Sequence, residues 1–255
     1  MGAGDIAACN SDGDEATAQL LDEIEGTVIT LGDNAYPDGT ESDFSRCYGP
    51  SWGRHLSRTR PAPGNHDYHS TDAAPYFAYF GTRAGPAGKG YYSYDHGSWH
   101  IVSLNSESSL TAQASWLKAD LAATPRRCTL AYWHHPLFTS GSVHGPATKM
   151  RPLFAILYEA GADVVLSAHN HQYERFAPQT PAGDSDSAAG IRYFVVGTGG
   201  AGLYDFKPTP ARNSQVRYNG GHGVLKLTLS DSSYSWQFIS VAGKTFSDTG
   251  STACH

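Results

Sequence analysis

Charged residues are scarce in this sequence, and those present are scattered along it. Only 16% of the 255 residues are Asp, Glu, Lys or Arg, and the formal net charge at pH 7 is −6. The chain has no run or stripe of Lys and Arg that could match a phosphate backbone, which argues against a nucleic-acid partner. An anionic ligand must therefore be held locally, by a metal ion or by a few cationic groups.

Long hydrophobic runs are also lacking. No stretch approaches the ~20 apolar residues needed to cross a bilayer, so we expect no membrane partner. Residues 1–4 (Met-Gly-Ala-Gly) form neither the charged leader nor the apolar segment of a signal peptide. If the protein is exported, its signal peptide is absent from this chain.

Cysteine is limited to four widely separated positions, Cys9, Cys47, Cys128 and Cys254. Because no C-x-x-C pair occurs, they indicate neither a zinc ribbon nor a redox centre, and four cysteines allow three pairings. We favour Cys9 with Cys47 and Cys128 with Cys254, since the second bridge would tie down the C-terminal tail. Four buried free thiols in a cytosolic protein are the alternative. The low charge, 28 Gly and 15 Tyr favour a secreted or periplasmic location.

Short apolar runs alternate with amphipathic segments through most of the chain. We predict strands at 28–31, 99–104, 129–133, 164–166 and 193–196. Predicted helices cover 15–25, 111–122 and 152–159. The last third reads instead as an antiparallel hairpin of 224–229 and 234–241, with 244–246 as a third strand. This order predicts an α/β sandwich in which helices flank the sheet.

Polar residues that can bind metals follow several of these apolar runs directly. In such folds the functional site lies at the carboxyl ends of the strands, so these residues should meet at one rim. The segment 60–63 has no strong strand pattern but leads into Gly-Asn-His-Asp in the same way. The candidates that follow these four segments are, in chain order, Asp33, Tyr36, Asn65, His66, His134, His169 and His171.

The candidates combine carboxylate, phenolate, amide oxygen and imidazole groups. This mixture suits iron, zinc and manganese rather than a site for soft metals. His169 and His171 are separated by one residue, which places them on the same side of an extended segment. A single bridging carboxylate, for which we favour Asp33, would allow two ions to lie about 3.5–4 Å apart, as in two-metal hydrolases.

Four motifs resemble, in the same order, those of the calcineurin-like metallophosphoesterases. They are Gly32-Asp33-x-x-Tyr36, Gly64-Asn65-His66-Asp67, His134-x-Pro136 and His169-x-His171. The tyrosine resembles that of the purple acid phosphatases in particular. The resemblance implies that Asp33 bridges two ions, that Tyr36 and His171 bind the first, and that Asn65, His134 and His169 bind the second. The ions it implies are ferric iron with divalent iron, zinc or manganese; two divalent ions are the alternative.

Two further histidines acquire roles from the same resemblance. His66 would contact the substrate phosphate without binding metal. His144 follows the His134 motif by about the distance at which the relatives carry a further histidine just outside the metal ligands. It would bind phosphate or protonate the leaving group. Both are therefore candidate catalytic residues.

The sequence departs from the family pattern at two places. The first motif, Asp-x-Gly, is matched only by Asp5 with Ala7 in place of the glycine; we favour Asp5 as the remaining ligand of the first ion, and Asp12 and Asp14 are alternatives. Ala168 replaces the usual glycine before His169, which is tolerated unless that backbone needs a positive φ. A shift by one residue would also exchange His134 and His135, although the spacing to Pro136 favours His134.

The resemblance implies a four-layer α-β-β-α sandwich with the C-terminal hairpin, forming a single catalytic domain over residues 1–255. It implies hydrolysis of a small phosphomonoester by a bridging or metal-bound hydroxide. A phosphodiesterase or nucleotide pyrophosphatase on the same scaffold is the main alternative, and a non-catalytic binding module is a remote one. A Ser/Thr protein phosphatase is disfavoured, because Asp38-Gly39 lacks the Asp-Arg-Gly pattern.

Overall fold

The structure is a computed structural model that describes residues 1–124 and 128–255. Its strands are β1 Gly2–Ala3, β2 Ala7–Ala8, β3 Val28–Leu31, β4 Ala35–Tyr36, β5 Thr59–Ala62, β6 Tyr92–His96, β7 Trp99–Ser103, β8 Cys128–Tyr132, β9 Val164–Ser167, β10 Tyr173–Phe176, β11 Arg192–Val196, β12 Ser214–Tyr218, β13 Gly223–Ser230, β14 Ser233–Ser240 and β15 Ser247–Ala253. Its α-helices are α1 Gly13–Asp22, α2 Glu41–Asp43, α3 Ala74–Phe80, α4 Leu110–Ala123 and α5 Arg151–Glu159. A π-helical turn at Phe44–Tyr48 extends α2, and 3₁₀ turns cover Trp52–Arg58, Asp67–His69, Thr71–Ala73, Gly81–Ala84 and Thr148–Met150.

Two mixed sheets contain most of the strands. The six-stranded sheet has the order β15-β14-β13-β1-β3-β5, the seven-stranded sheet has the order β12-β10-β11-β9-β8-β7-β6, and β2 pairs with β4 separately. Within the first sheet β1, β3 and β5 are parallel, and within the second β7, β8, β9 and β11 are parallel. Each sheet therefore directs a group of strand carboxyl ends to one edge.

The two sheets pack face to face through aromatic side chains. Ring centroids lie 4.3 Å apart for Tyr173 and Phe238 and 5.7 Å apart for Trp99 and Tyr234, pairs that join one sheet to the other. On the outer face of the seven-stranded sheet, α4 and α5 bury a second apolar cluster. Helix α1 contributes buried residues to the core on the six-stranded side. The expected four-layer sandwich is confirmed.

Most predicted elements lie within a few residues of the observed ones, and the prediction for 244–246 is wrong. Those residues precede the strand, which is β15 and runs along the edge of its sheet. Its sequence, SDTGSTA, is polar and small on both faces, so it lacks the apolar alternation that reveals a strand. Strand β5 was not predicted either, because it contains Pro61 and shows no strong strand pattern. The proline is tolerated because β5 is an edge strand.

Two disulfides link distant parts of the chain. Cys9 is bonded to Cys47, and Cys128 at the start of β8 is bonded to Cys254 just after β15. The predicted pairing is confirmed, and the alternative of four free thiols is wrong. Over the described residues, no helix combines the length and hydropathy needed to span a bilayer.

Candidate metal centre

The loops that follow the parallel strands of both sheets meet at one place. From the six-stranded sheet, Asp5 comes after β1, Asp33 after β3 and Asn65 after β5. From the seven-stranded sheet, His134 comes after β8 and His169 after β9. The candidate centre therefore lies at the edge of the sandwich where these strands end, and both sheets contribute side chains to it.

One group of donors is formed by Asp33, His134 and His169, whose ligand atoms all lie within 4.8 Å of one another. His134 Nε2 is 3.2 Å from Asp33 Oδ2 and 3.2 Å from His169 Nδ1. Asp33 and His134 are almost completely buried. Such a compact group of nitrogen and carboxylate donors has the form of a metal site.

A second group lies on the other side of Asp33. The Tyr36 hydroxyl is 3.0 Å from Asp5 Oδ1 and 3.0 Å from Asp33 Oδ2, and it is 3.2 Å from His171 Nε2. His171 Nε2 is in turn 3.4 Å from Asp5 Oδ1. Asp33 Oδ2 thus contacts both groups, which is the position that a bridging carboxylate needs.

The histidines are oriented by backbone carbonyls. His134 Nδ1 donates to the Leu31 carbonyl at 2.8 Å, and His171 Nδ1 donates to the Gly202 carbonyl at 2.6 Å. Each of these bonds fixes the ring and leaves Nε2 facing the centre, the arrangement usual for histidines that bind metals.

Asn65 Oδ1 is buried and has no hydrogen-bond partner among the described residues. A buried polar oxygen without a partner is costly unless something else coordinates it. A cation held with His134 and His169 would satisfy this oxygen. The residues present therefore fit the ions that the sequence motifs imply.

Electrostatics at the centre depend on the Asp33–His134 pair. Burial opposes both charges, but their mutual attraction outweighs it, so the pKa of Asp33 lies below its usual range and the pKa of His134 is raised to about 10. Burial and the nearby Asp5 and Asp33 carboxylates raise the pKa of Tyr36 well above 10. Without a cation Tyr36 is therefore a neutral phenol, and only a strongly positive ion would hold it as a phenolate.

The backbone at the centre is held in an uncommon conformation. Three non-glycine residues have positive φ there: Asp5 at 58°, Asp33 at 51° and His169 at 69°. Such conformations are costly for residues with a side chain and tend to occur at functional sites. Ala168 itself is not among the positive-φ residues, so its replacement of glycine introduces no backbone strain at that position.

The sequence profile of the calcineurin-like phosphoesterase family matches residues 2–173 of the chain. The chain belongs to this family. It is similar to purple acid phosphatase 21 of Arabidopsis thaliana, with 31% identity over 242 residues that cover 83% of this chain and 54% of that protein. It is 34% identical to purple acid phosphatase 22 of the same plant over 149 residues, 54% of this chain and 34% of that protein. The chain thus spans about half the length, or less, of these relatives.

A solved structure shows the same fold. Purple acid phosphatase PPD1 from yellow lupin (Lupinus luteus) seeds superposes with a TM-score of 0.81 at 18% sequence identity. The match covers 99% of this chain and 53% of the lupin chain. The calcineurin-like phosphoesterase architecture therefore extends over the part that the sequence profile does not reach, including the C-terminal antiparallel strands.

In this member of the family, the two predicted catalytic histidines lie at the rim of the centre. The His66 backbone N–H donates to Asp33 Oδ1 at 2.8 Å, and its ring, 29% exposed, packs 4.4 Å from the Tyr36 ring. The His144 ring packs 4.1 Å from the His169 ring. Both imidazoles are thus placed beside the proposed ligands and are reachable from solvent.

The alternatives left open by the sequence make other contacts. Asp12 is exposed at the start of α1, and Asp14 hydrogen-bonds Ser51 instead of facing the centre. His135 Nδ1 faces Glu107 at 2.6 Å. The structure therefore groups Asp5 and His134, not these residues, with the other predicted ligands.

Sequence reasoning gave Asp67 no role, although it anchors the loops that carry the ligands. Its carboxylate accepts from the Gly64 N–H at 2.8 Å and from the Asn34 side chain at 2.9 Å. Burial and the Asp33 carboxylate raise the pKa of Asp67 to about 7. Its place in the Gly64-Asn65-His66-Asp67 motif was the available signal.

Tyr204 was also missed. Its ring stacks on His171 with centroids 4.0 Å apart and planes 10° apart, and its N–H donates to the His171 carbonyl at 2.9 Å. It forms a partly exposed wall beside the centre. No motif marks it, since it reaches the site through the long loop after β11.

Proposed function

We propose that residues 1–255 form one catalytic domain that hydrolyses small phosphomonoesters at a centre of two metal ions. The observation that carries this proposal is the position of the buried Asp33 carboxylate between two donor groups, next to the loop that carries the unpartnered Asn65 oxygen. One bridging carboxylate with separate donors on each side is what a pair of closely spaced ions requires.

We assign Asp5, Tyr36 and His171, with Asp33, to the first ion. Asn65, His134 and His169, with Asp33, would hold the second. The phenol oxygen and two carboxylates of the first set suit ferric iron, and the nitrogen-rich second set suits divalent iron, zinc or manganese; two divalent ions are the alternative. When bound, the ions would activate water and neutralise charge on the phosphoryl oxygens.

The chain's own contribution is to position the phosphate and handle the proton of the leaving alcohol. His66, on the Tyr36 side, is placed to donate a hydrogen bond to a phosphoryl oxygen. His144, beside His169, is placed to give a proton to the leaving oxygen. Tyr204 limits the space next to His171 and so would bear on which leaving groups fit.

Release of p-nitrophenol from the mono- and bis-substituted phosphates tests the reaction. We expect turnover of the monoester, dependent on added metal, and much slower turnover of the diester. Preference for the diester would replace the monoesterase with a phosphodiesterase on the same centre. Inactivity on both substrates by a fully metallated protein would support the binding-module alternative.

If the protein is a monoesterase, His169→Ala should abolish its turnover and remove one metal equivalent.

The visible spectrum tests the first ion and Tyr36. Because a phenolate bound to ferric iron absorbs visible light, the iron-loaded protein should be coloured, and Tyr36→Phe should lose that band while keeping the fold. Metal analysis of both proteins should accompany the spectra. A colourless, active wild-type protein with two ions bound would show that the ferric assignment is wrong.

We also infer that the protein works in an oxidising compartment, secreted or periplasmic. Its two disulfides support this location, because such bonds are rare in cytosolic proteins. Alkylation of the unreduced protein isolated from its source would test this inference. Four modifiable thiols in that material would contradict it.

A further inference from the structure

A polar cluster lies against the candidate centre without supplying any of the proposed ligands. Glu107 Oε1 is 2.6 Å from His135 Nδ1, and the Ser106 hydroxyl lies 3.0 Å from the same nitrogen. Lys149 Nζ is 3.6 Å from the Glu107 carboxylate. The His135 ring is therefore held at one nitrogen by a carboxylate and a hydroxyl.

The backbone of His135 is fixed as well. Its carbonyl accepts from Trp133 Nε1 at 2.8 Å, and its N–H donates to the Ser106 hydroxyl at 3.3 Å. The side chains of His135 and Glu107 are only 15% and 16% exposed. A ring held by these contacts has little freedom to rotate.

The rings of His135 and His144 both pack against the ring of the proposed ligand His169. The His169 ring lies 4.1 Å from the His135 ring and 4.1 Å from the His144 ring. Over the described residues, its one side-chain hydrogen-bond contact is that of Nδ1 with His134 Nε2, at 3.2 Å. No backbone carbonyl of the described residues holds its other nitrogen, in contrast to His134 and His171. The orientation of this ring therefore depends on what packs against it.

The two rings that pack against His169 differ in how firmly they are held. Within the described parts of the chain, the His144 ring makes ring contacts but no hydrogen bond, so it is held less firmly than the His135 ring. The His135 ring is clamped by Glu107. The His135 ring is thus the fixed neighbour that sets the position of the His169 ring.

We propose that Glu107 and His135 are a positioning pair that holds the His169 ring with Nδ1 toward His134 and thereby strengthens binding of the second ion. The inference rests on the two-metal centre proposed above. A ligand already held in its binding orientation loses less conformational freedom when the ion binds. Loss of the outer residues that orient a metal ligand typically lowers metal affinity by about 10–100-fold.

Four variants separate the roles of the ring and the clamp. His135→Ala removes the ring, and Glu107→Ala removes its clamp. His135→Phe keeps an aromatic ring against His169 without the hydrogen bond, whereas Glu107→Gln keeps an oxygen that can accept from His135 Nδ1. Exposed residues far from the centre, changed in His96→Ala and Glu159→Ala, are the matched controls.

Zinc titration of the chelator-stripped full chain, with a chromophoric chelator as competitor, measures both sites without relying on activity. We expect His135→Ala and Glu107→Ala to weaken one of two zinc sites by at least about tenfold and to leave the other unchanged. Glu107→Gln should stay near the wild type, and His135→Phe should fall between the wild type and His135→Ala. The controls should not differ from the wild type.

Thermal unfolding of the metal-free proteins completes the test. If His135→Ala and Glu107→Ala only lower the unfolding midpoint and bind both ions with wild-type affinity, the pair is structural and the inference is overturned. If an alanine variant does not fold, His135→Phe takes its place in the test. The inference is then overturned if His135→Phe binds zinc at both sites as tightly as the wild type does. A wild-type chain that binds fewer than two ions would instead reject the proposed function, and the inference with it.

Discussion

Glycine 64 shows how tightly the centre is assembled at the scale of single residues. A Cβ placed there would lie 2.2 Å from Asp33 Oδ1 and 2.4 Å from the Asp33 backbone nitrogen. Asp33 itself has φ 51°, so its loop is already strained. The missing side chain lets the Asn65 loop approach the Asp33 carboxylate, which explains the glycine in this motif physically.

Gly64→Ala should therefore disturb the centre more than an ordinary loop substitution. We expect a loss of about 1–3 kcal/mol in the free energy of unfolding from overpacking, together with loss of at least one bound ion. Urea denaturation and metal analysis measure the two effects. Gly88→Ala is the control for metal content: its Cβ would meet no described atom within 4 Å, its φ of 71° strains alanine by itself, and it should keep both ions. Unchanged metal content in Gly64→Ala would contradict the crowding argument.

At the scale of elements, His100 joins the antiparallel pair β6–β7 to helix α4. It is 3% exposed, with Nδ1 3.0 Å from Asp95 Oδ1 and Nε2 2.8 Å from Asp120 Oδ2. Burial lowers the pKa of His100, but the hydrogen bonds and charges of Asp120 and Asp95 outweigh burial and raise it above 6.5. The charged imidazole is therefore more stable in the folded chain than in the unfolded one.

The stabilisation from His100 should depend on pH. It is fully present below the unfolded pKa of 6.5 and is lost as the pH rises through the higher folded pKa. We expect His100→Gln to destabilise the protein clearly at pH 5.5 and much less at pH 9, as measured by urea denaturation at matched metal content. His96→Gln, on the exposed end of β6, should show no such dependence. An equal deficit at both pH values would mean that the charge of His100 is not involved.

The Cys128–Cys254 bond fixes β15, the polar edge strand, to the opposite sheet. Its cysteines are 126 residues apart, compared with 38 for Cys9–Cys47. In the chain-entropy view, a longer loop closed by a disulfide restricts the unfolded chain more. The bond therefore compensates for the few apolar contacts of this strand.

Replacing Cys128 and Cys254 together with serine should lower the free energy of unfolding by about 2–5 kcal/mol. The double replacement of Cys9 and Cys47 is the comparison and should cost less. Denaturant unfolding under non-reducing conditions measures both. Since Cys128 begins β8 at the end remote from His134, the first variant should still bind its ions; a larger loss for the Cys9–Cys47 variant would contradict the loop-length argument.

The sequence predicted elements wherever a buried face left an apolar pattern, as in β3, β8 and β9. It failed for β15, because an edge strand with polar faces carries no such pattern. Asp33, His134 and His169 could be predicted because they directly follow apolar runs whose ends meet. The contacts of Glu107, Asp67 and Tyr204 could not be predicted in this way, since they depend on loop paths set by packing between distant segments.

At the scale of the whole molecule, the centre joins the two sheets. Asp5, Asp33 and Asn65 come from the six-stranded sheet, and His134 and His169 from the seven-stranded sheet. In the protein without ions, Asp33 and His134 provide a direct link between these groups. Bound ions would add coordinate bonds across the same junction, and the unfolded chain would not retain this arrangement.

Metal binding should therefore stabilise the entire fold rather than only its loops. An ion that binds the folded chain at one hundred times its Kd contributes about 2.7 kcal/mol, and each kcal/mol raises the Tm of a chain of this size by about 2–4 °C. We expect stripping with a chelator to lower the Tm and zinc or iron to restore it, as followed by calorimetry. His169→Ala should show a smaller rise and His96→Ala the full one. If metal analysis finds two ions bound but the Tm does not change on stripping, the ions do not bridge the sheets as proposed.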